Sequence, residues 1–183
     1  MGKPRPSGRG ASQDEGGEMD QRLKEAFYKI YEGEAKAALR LKLFAKKAEQ
    51  EDLPQIAQLF RVIALSEEIH GERALRMLRE IKDTETNLKD SFRSETSIAG
   101  VAYEQFVRLA TELRDNSAAN VFSNSKDVED GHASLYKKAM NHLIEEQETT
   151  YYVCKVCGYV ADSICPDACP VCSAPKDQFF EFK

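Results

Sequence analysis

Long apolar runs are missing: no stretch of the 183 residues approaches the ~18 consecutive apolar residues that a membrane-spanning helix needs. The opening residues carry charge, glycine and proline without an apolar segment, which argues against a secretory signal. Surplus positive charge is missing too. Lys and Arg number 26 against 31 Asp and Glu, and the net charge of −5 gives no footing for nucleic acid. Histidine is scarce, at three residues, and cysteine is odd in number, at five, four of them in two Cys-x-x-Cys pairs. That count and spacing read as metal ligands in a reducing cytoplasm rather than as a disulfide framework. What is present, 42% hydrophobic and 31% charged residues, can bury a core and suits a helical protein.

Two of the histidines stand in one repeated phrase, Glu67-Glu68-Ile69-His70 and Glu129-Asp130-Gly131-His132. On a helix, a carboxylate and an imidazole three residues apart point the same way. An interior holding two such phrases keeps its charge only if the groups are paired or bind metal. A dinuclear carboxylate site of the ferritin-like kind takes one further Glu from each of the other two helices. The chain offers both at nearly equal distances upstream, Glu34 before Glu67 and Glu95 before Glu129. Four carboxylates with two imidazoles suit a pair of iron or manganese ions.

The helices that would carry them can be laid out in order. Residues 1–19, rich in Gly, Pro, Ser and charge, read as a disordered tail. A first helix is expected from about Asp20 to Gln50, with Glu34 inside the stripe of Phe27, Ile30, Ala38, Leu41 and Phe44. The second runs from about Pro54 to Lys82, the third over Thr86–Arg114 and the fourth over Ser117–Glu146. Glu68 falls off its stripe and reads as solvated. On the third helix Glu104 lies nine residues past Glu95, which at 100° per residue is the opposite face, so Glu104 reads as surface. His142, near the end of the fourth helix, reads as surface as well. That helix is poor by propensity, with Asn120, Ser123, Asn124 and Gly131 in its interior, so packing and metal must hold it.

From Tyr151 the chain changes character. Cys154-Lys155-Val156-Cys157-Gly158 and Cys169-Pro170-Val171-Cys172 are two knuckles able to bind one tetrahedral metal through four thiolates. Fewer than ~40 residues rarely fold without such a staple. Zinc and iron both fit four sulfurs. Cys165 is left over, since the position three further on is Ala168.

These stretches together resemble the rubrerythrin family, over about residues 20–183. The resemblance rests on Tyr31-Glu32-Gly33-Glu34-Ala35, on the two Glu-x-x-His phrases, and on both knuckles with Ser173-Ala174-Pro175 after the second. It implies a mainly α chain: a ferritin-like four-helix bundle over 20–146, then a rubredoxin-like module over 151–183. It further implies two non-haem irons at Glu34, Glu67, His70, Glu95, Glu129 and His132, and one iron at Cys154, Cys157, Cys169 and Cys172. The implied activity is reduction of hydrogen peroxide to water, with electrons from a reductase or other donor passing through the four-cysteine iron. A homodimer is implied too, in which one chain's four-cysteine site serves the other chain's iron pair. One departure stands out. The family has a second carboxylate three residues past the first on helix three, and here that position is Ile98. A fixed set of four Glu and two His also fits an O₂-reacting oxidase or ferroxidase, the first alternative. The second is a non-enzymatic zinc-ribbon binding protein. Tyr103 falls where the family has a tyrosine near the site, either a hydrogen bonder or an ordinary packed side chain.

Overall fold

The computed structural model describes residues 19–142 and 149–183. The expected tail, up to residue 18, and the expected end of the fourth helix lie outside them. Asp20 opens the first helix by accepting the backbone N–H of Arg22 at 2.8 Å, a side-chain cap of the ordinary kind. Helix α1 runs Gln21–Gln50 without interruption at Gly33. It ends where Asp52 takes a left-handed φ of 57° and the Leu53 N–H reaches back to the Ala48 carbonyl at 2.9 Å. Pro54 then occupies the first turn of α2, Pro54–Leu78. Arg79, at φ 56°, stops α2 earlier than the expected Lys82.

The tight turn makes α1 and α2 an antiparallel pair. Glu49, late in α1, meets Arg61, early in α2, and the Tyr28 hydroxyl, early in α1, donates to Glu80 just past α2. Their seam is made of small residues: Ala38, Ala45 and Ala48 against Ala57, Ala64, Gly71 and Ala74, all buried. Gly71 lies over Glu34, where an added Cβ would stand 3.8 Å from the Glu34 Cβ. The close seam therefore brings the Glu67–His70 turn directly against Glu34. The larger members of both apolar stripes stay partly exposed, Phe44 at 45% and Leu59 at 51%. A pair of helices has one inner seam, which is narrower than these stripes.

The chain divides into two compact units after Ile81. In the second, α3 (Thr84–Ser97) is capped by Asp83, whose carboxylate accepts the Thr86 N–H at 2.9 Å. The single α-helix expected over 86–114 is not what forms. A π-helical segment, Ile98–Tyr103, separates α3 from α4 (Glu104–Glu112). Gly100 with β-branched Ile98 and Val101 makes this stretch a weak α former, and an extra residue per turn is accommodated there. Asp115 caps α5, Asn116–His142, by accepting the Ala118 N–H at 2.9 Å. Tyr103 meets Phe106 in a T-shaped contact and Phe106 meets Phe122 at a tilt, with ring centroids 6.0 and 5.4 Å apart, which joins the third helical rod to α5.

The C-terminal module is a three-stranded antiparallel sheet, β1 (Tyr151–Cys154) between β2 (Val160–Asp162) and β3 (Phe179–Phe182). Its two knuckles repeat one hydrogen-bond pattern. Gly158 N–H donates to the Cys154 carbonyl at 3.0 Å, and Ser173 N–H to that of Cys169 at 2.9 Å. Both donors lie in the left-handed region, at φ 84° and 61°. The second position is occupied by a serine despite the strain. An ion pair at 2.8 Å, Lys138 on α5 with Asp162 on β2, fastens the module to α5. No helix among the described residues is long and apolar enough to cross a membrane.

Candidate metal centres

Three groups of side chains have ligand atoms that all lie within 4.8 Å of one another. Glu34, Glu67 and His70 form one, Glu95, Glu129 and His132 the second, and the four knuckle cysteines the third. All ten residues singled out in the sequence are thus brought into clusters, the six bundle ligands as two matching triads.

In each triad the i, i+3 spacing places the imidazole Nδ1 next to its own glutamate. The His70 Nδ1 lies 3.2 Å from Glu67 Oε2 and 4.0 Å from Glu34 Oε1. The His132 Nδ1 lies 3.1 Å from Glu129 Oε2. The two carboxylates of each triad stand within 4.8 Å of one another, close enough for each to favour a proton on its neighbour. Hydrogen bonding to Glu67 raises the pKa of Glu34, with burial and the like charge adding to it, and the same interaction holds Glu67 down. Glu95 is pushed up to about 7, first by burial, then by its hydrogen bond to Glu129 and the repulsion of that charge. A divalent cation can take the place of such a proton, and the donor set of two carboxylates and an imidazole suits iron.

The raised Glu95 pKa has a measurable consequence for the metal-free protein. Between the ordinary glutamate value and about 7 the folded chain holds a proton that the unfolded chain has released. The stability contributed by this group therefore falls as pH rises from about 4.5 to 7. Chelator-treated protein is expected to lose denaturation midpoint over that window, and Glu95→Gln to flatten the loss. An unchanged slope in the variant would refute it.

The thiols form a compact tetrahedron, with Cys154 and Cys172 sulfurs 3.7 Å apart and those of Cys157 and Cys169 3.6 Å apart. Four sulfurs about 2.3 Å from one ion stand roughly 3.8 Å from each other, so the residues fit the metal. Burial opposes a thiolate at Cys154. The N–H groups of Cys157 and Val156 overcome it and bring that thiol down to about 7. Burial raises Cys157 and Cys172 instead. Cys165 lies apart, half-buried, its thiol directed at the Pro166 carbonyl at 3.8 Å.

The residues set aside in the sequence behave accordingly. Glu68 pairs with Lys42, and Glu104 is half exposed with Arg108 at 3.9 Å. The π segment breaks the constant 100° per residue used to place Glu104, so its exposure follows from its own surroundings rather than from that count. Tyr103 packs on Phe106. The side chain of His142 lies outside the described residues. Nothing in the sequence marks Lys138, Asp162 or Val128, because their importance arises only from contacts made across the fold.

A family model described as rubrerythrin matches residues 25–140, and one for the rubredoxin-like domain of rubrerythrin matches 152–180. The chain belongs to the rubrerythrin family. Among curated relatives, nigerythrin of Nitratidesulfovibrio vulgaris is 29% identical over 161 residues, covering 80% of each chain. Rubrerythrin-2 of Clostridium acetobutylicum is 27% identical and covers 83% of this chain and 92% of its own. A solved structure of nigerythrin in a mixed-valence state superposes with a TM-score of 0.54 at 26% identity, over 93% of this chain and 91% of that one. The fold is accordingly that of this family, mainly α, of the ferritin-like four-helix type, with a rubredoxin-like metal-knuckle module at its end.

Proposed function

We propose that the chain is a cytoplasmic, non-haem iron peroxidase that reduces hydrogen peroxide to water. Residues 20–146 supply the iron-pair ligands and 151–183 the electron-carrying module. The observation that carries this reading is the pairing, in one chain, of two matched Glu–Glu–His triads with a four-thiol tetrahedron. A solved structure of the similar nigerythrin is described as fully reduced and all ferrous, which favours iron over zinc at the cysteines.

Two irons held there would supply the two electrons that, with two protons, reduce one peroxide to two waters. The residues do the rest. Glu67 with His70 and Glu129 with His132 would each hold an ion from one turn of helix, and Glu34 and Glu95 would complete the set. A cavity of about 340 Å³ opens beside His132, walled by Leu88, Leu135 and Ala139, with Tyr136 also on its lining. It has room for a small reactant. The homodimer and the identity of the electron donor belong to the same reading. Ile98 is the observation that favours a second one, reaction with O₂ as an oxidase or ferroxidase, because no spare carboxylate stands at that position.

Stopped-flow mixing decides between them. Anaerobically reduced, iron-loaded protein is mixed with peroxide or with O₂ and followed by the absorbance of the four-cysteine iron. Fast reoxidation by peroxide and slow by O₂ is expected. The reverse order would establish the oxidase, and colourless protein with zinc at the cysteines would establish a binding protein.

A further inference from the structure

We propose that the cavity beside His132 is a binding site for a small phenol, and that hydroquinones are the members of this class the chain can use as a reductant. The binding stands on the cavity alone, whereas the use as a reductant rests on the peroxidase reading above.

The walls come from elements of one compact unit. His132, Leu135, Tyr136 and Ala139 recur at i, i+3, i+4 and i+7, so they form a single stripe of α5. Leu88 of α3 adds a further wall, and the sheet adds Tyr151 and Val160. Tyr151 pairs with Asp162, two residues past Val160, so both side chains project from the same sheet face. The cavity, about 340 Å³, is more than twice the ~150 Å³ of an apolar cavity that takes up benzene. Peroxide alone fills little of it.

Two features select a phenol. The first is the neutral lining: no lysine, arginine or carboxylate stands on it. Lys138, beside Ala139 in the chain, is committed to Asp162 at 2.8 Å. A charged ligand therefore finds no counter-ion, and a neutral one is favoured. The rings of Tyr136 and Tyr151 suit an aromatic occupant. The second feature is an unmet donor. His132 turns Nδ1 to Glu129 at 3.1 Å, and its Nε2 has no partner among the described residues. A histidine that holds a metal almost always donates its other ring N–H to an acceptor. A phenol oxygen supplies that acceptor. The Tyr136 hydroxyl, also without a partner among the described residues, can bond the ligand in turn.

Hydroquinone is a phenol with a second hydroxyl. On oxidation both O–H bonds break and both C–O bonds become C=O, releasing two electrons and two protons. Peroxide takes up the same two electrons and two protons as its O–O bond breaks and two waters form. The pair balances without another reductant.

Binding is tested with phenol itself and without turnover. The full-length zinc-loaded chain, with heavy-carbon-labelled Ala, Leu and Val methyl groups, is titrated with phenol and followed by NMR. Saturable shifts are expected at Leu88, Leu135, Ala139 and Val160. None is expected at Leu39, Leu43 and Leu65, which line an apolar groove on α1 and α2. Equal shifts in both sets would mean unspecific partition onto apolar surface, and no saturable shift would mean that the cavity takes no phenol; either overturns the site. Toluene, which lacks the oxygen, is expected to bind several-fold more weakly, and equal affinity would overturn the hydrogen bond to His132. Ala139→Phe puts a ring into the cavity and is expected to lower affinity at least tenfold. Tyr136→Phe, which keeps the shape of the wall, is expected to lower it several-fold. Affinity unchanged in both variants overturns the assignment.

Use as a reductant is tested on iron-loaded protein, mixed anaerobically with peroxide and hydroquinone and followed by the absorbance of the quinone. Quinone equal to the peroxide consumed is expected, at a rate that saturates with hydroquinone and falls when phenol competes. Phenol binding without quinone would overturn the reductant role. If peroxide also fails to reoxidise the four-cysteine iron, the failure belongs to the peroxidase reading, and the methyl shifts still report the site.

Discussion

His132→Ala is expected to abolish reoxidation by peroxide while the red four-cysteine iron keeps its spectrum. His132 contributes the only nitrogen of its triad, with Nδ1 3.1 Å from Glu129. Its removal leaves two carboxylates, and the bias of Glu95 toward its protonated form makes the remaining pair a poor cation site. Losing a mere supporting partner of a metal ligand costs about 10–100-fold, so loss of a ligand itself should exceed that. Glu67→Ala is expected to act in the same way on the other triad, where Glu67 is hydrogen-bonded to both Glu34 and His70. Iron analysis and the visible spectrum, measured on the same samples, check the result. Iron should drop at the triads alone. Should both signals vanish together in either variant, the division between bundle ligands and knuckle ligands is wrong.

The second large effect concerns folding. In the C-terminal module the buried core cluster consists of Cys154, Cys169 and Ala174, with Cys157, Tyr159, Val171, Cys172 and Phe179 packed around it. Phe180 and Phe182 are more than half exposed, and Ile164 is 78% exposed. Most of what a larger domain would bury as hydrocarbon is here the ligand set itself. Binding of a structural metal at such thiolates contributes about 10–16 kcal/mol at neutral pH, far above what so few apolar contacts supply. Cys154→Ser, or stripping of the metal by a strong chelator, is therefore expected to unfold the segment from β1 to β3. Helices α1, α2 and α5 should persist. Hydrogen exchange is the direct measurement: amides such as Cys154 and Cys169, now bonded to the Tyr159 and Ala174 carbonyls at 2.8 Å, should lose protection. Strands still protected in the variant would show that the sheet stands without metal.

The two effects differ because the sites have different neighbours. The triads stand on helices with their own capping and seams: Asp20, Asp83 and Asp115 close helix N-termini, and small residues join α1 to α2. Removing a ligand there empties a site and leaves the scaffold. The thiolates stand on a small sheet whose buried core is mostly themselves.

Much of this was legible before any tertiary structure. The pairing of Glu67 with His70 and of Glu129 with His132 depends only on the rise and twist of a helix, so an i, i+3 spacing suffices to determine it. Pro54 and the knuckle spacings act over a handful of residues, and the local order of the sequence displays them. Even the helix of poor propensity, α5, follows once its apolar and ligand positions are taken together.

The tertiary structure alone decided the rest. The π segment at Ile98–Tyr103 was hidden because the helix was laid out at a constant 100° per residue, and an extra residue in one turn changes which way every later side chain faces. The gathering of Glu34 onto Glu67 depended on an alanine and glycine seam narrow enough to bring two backbones together. The seat of the four-cysteine module on α5, through Val128 with Gly158 and Lys138 with Asp162, joins residues far apart in the chain. Such contacts are each small in free energy, and their sum over the folded surface selects one arrangement. Chemistry carried by neighbouring residues is therefore written in the sequence, whereas the seating of one element on another is decided by packing.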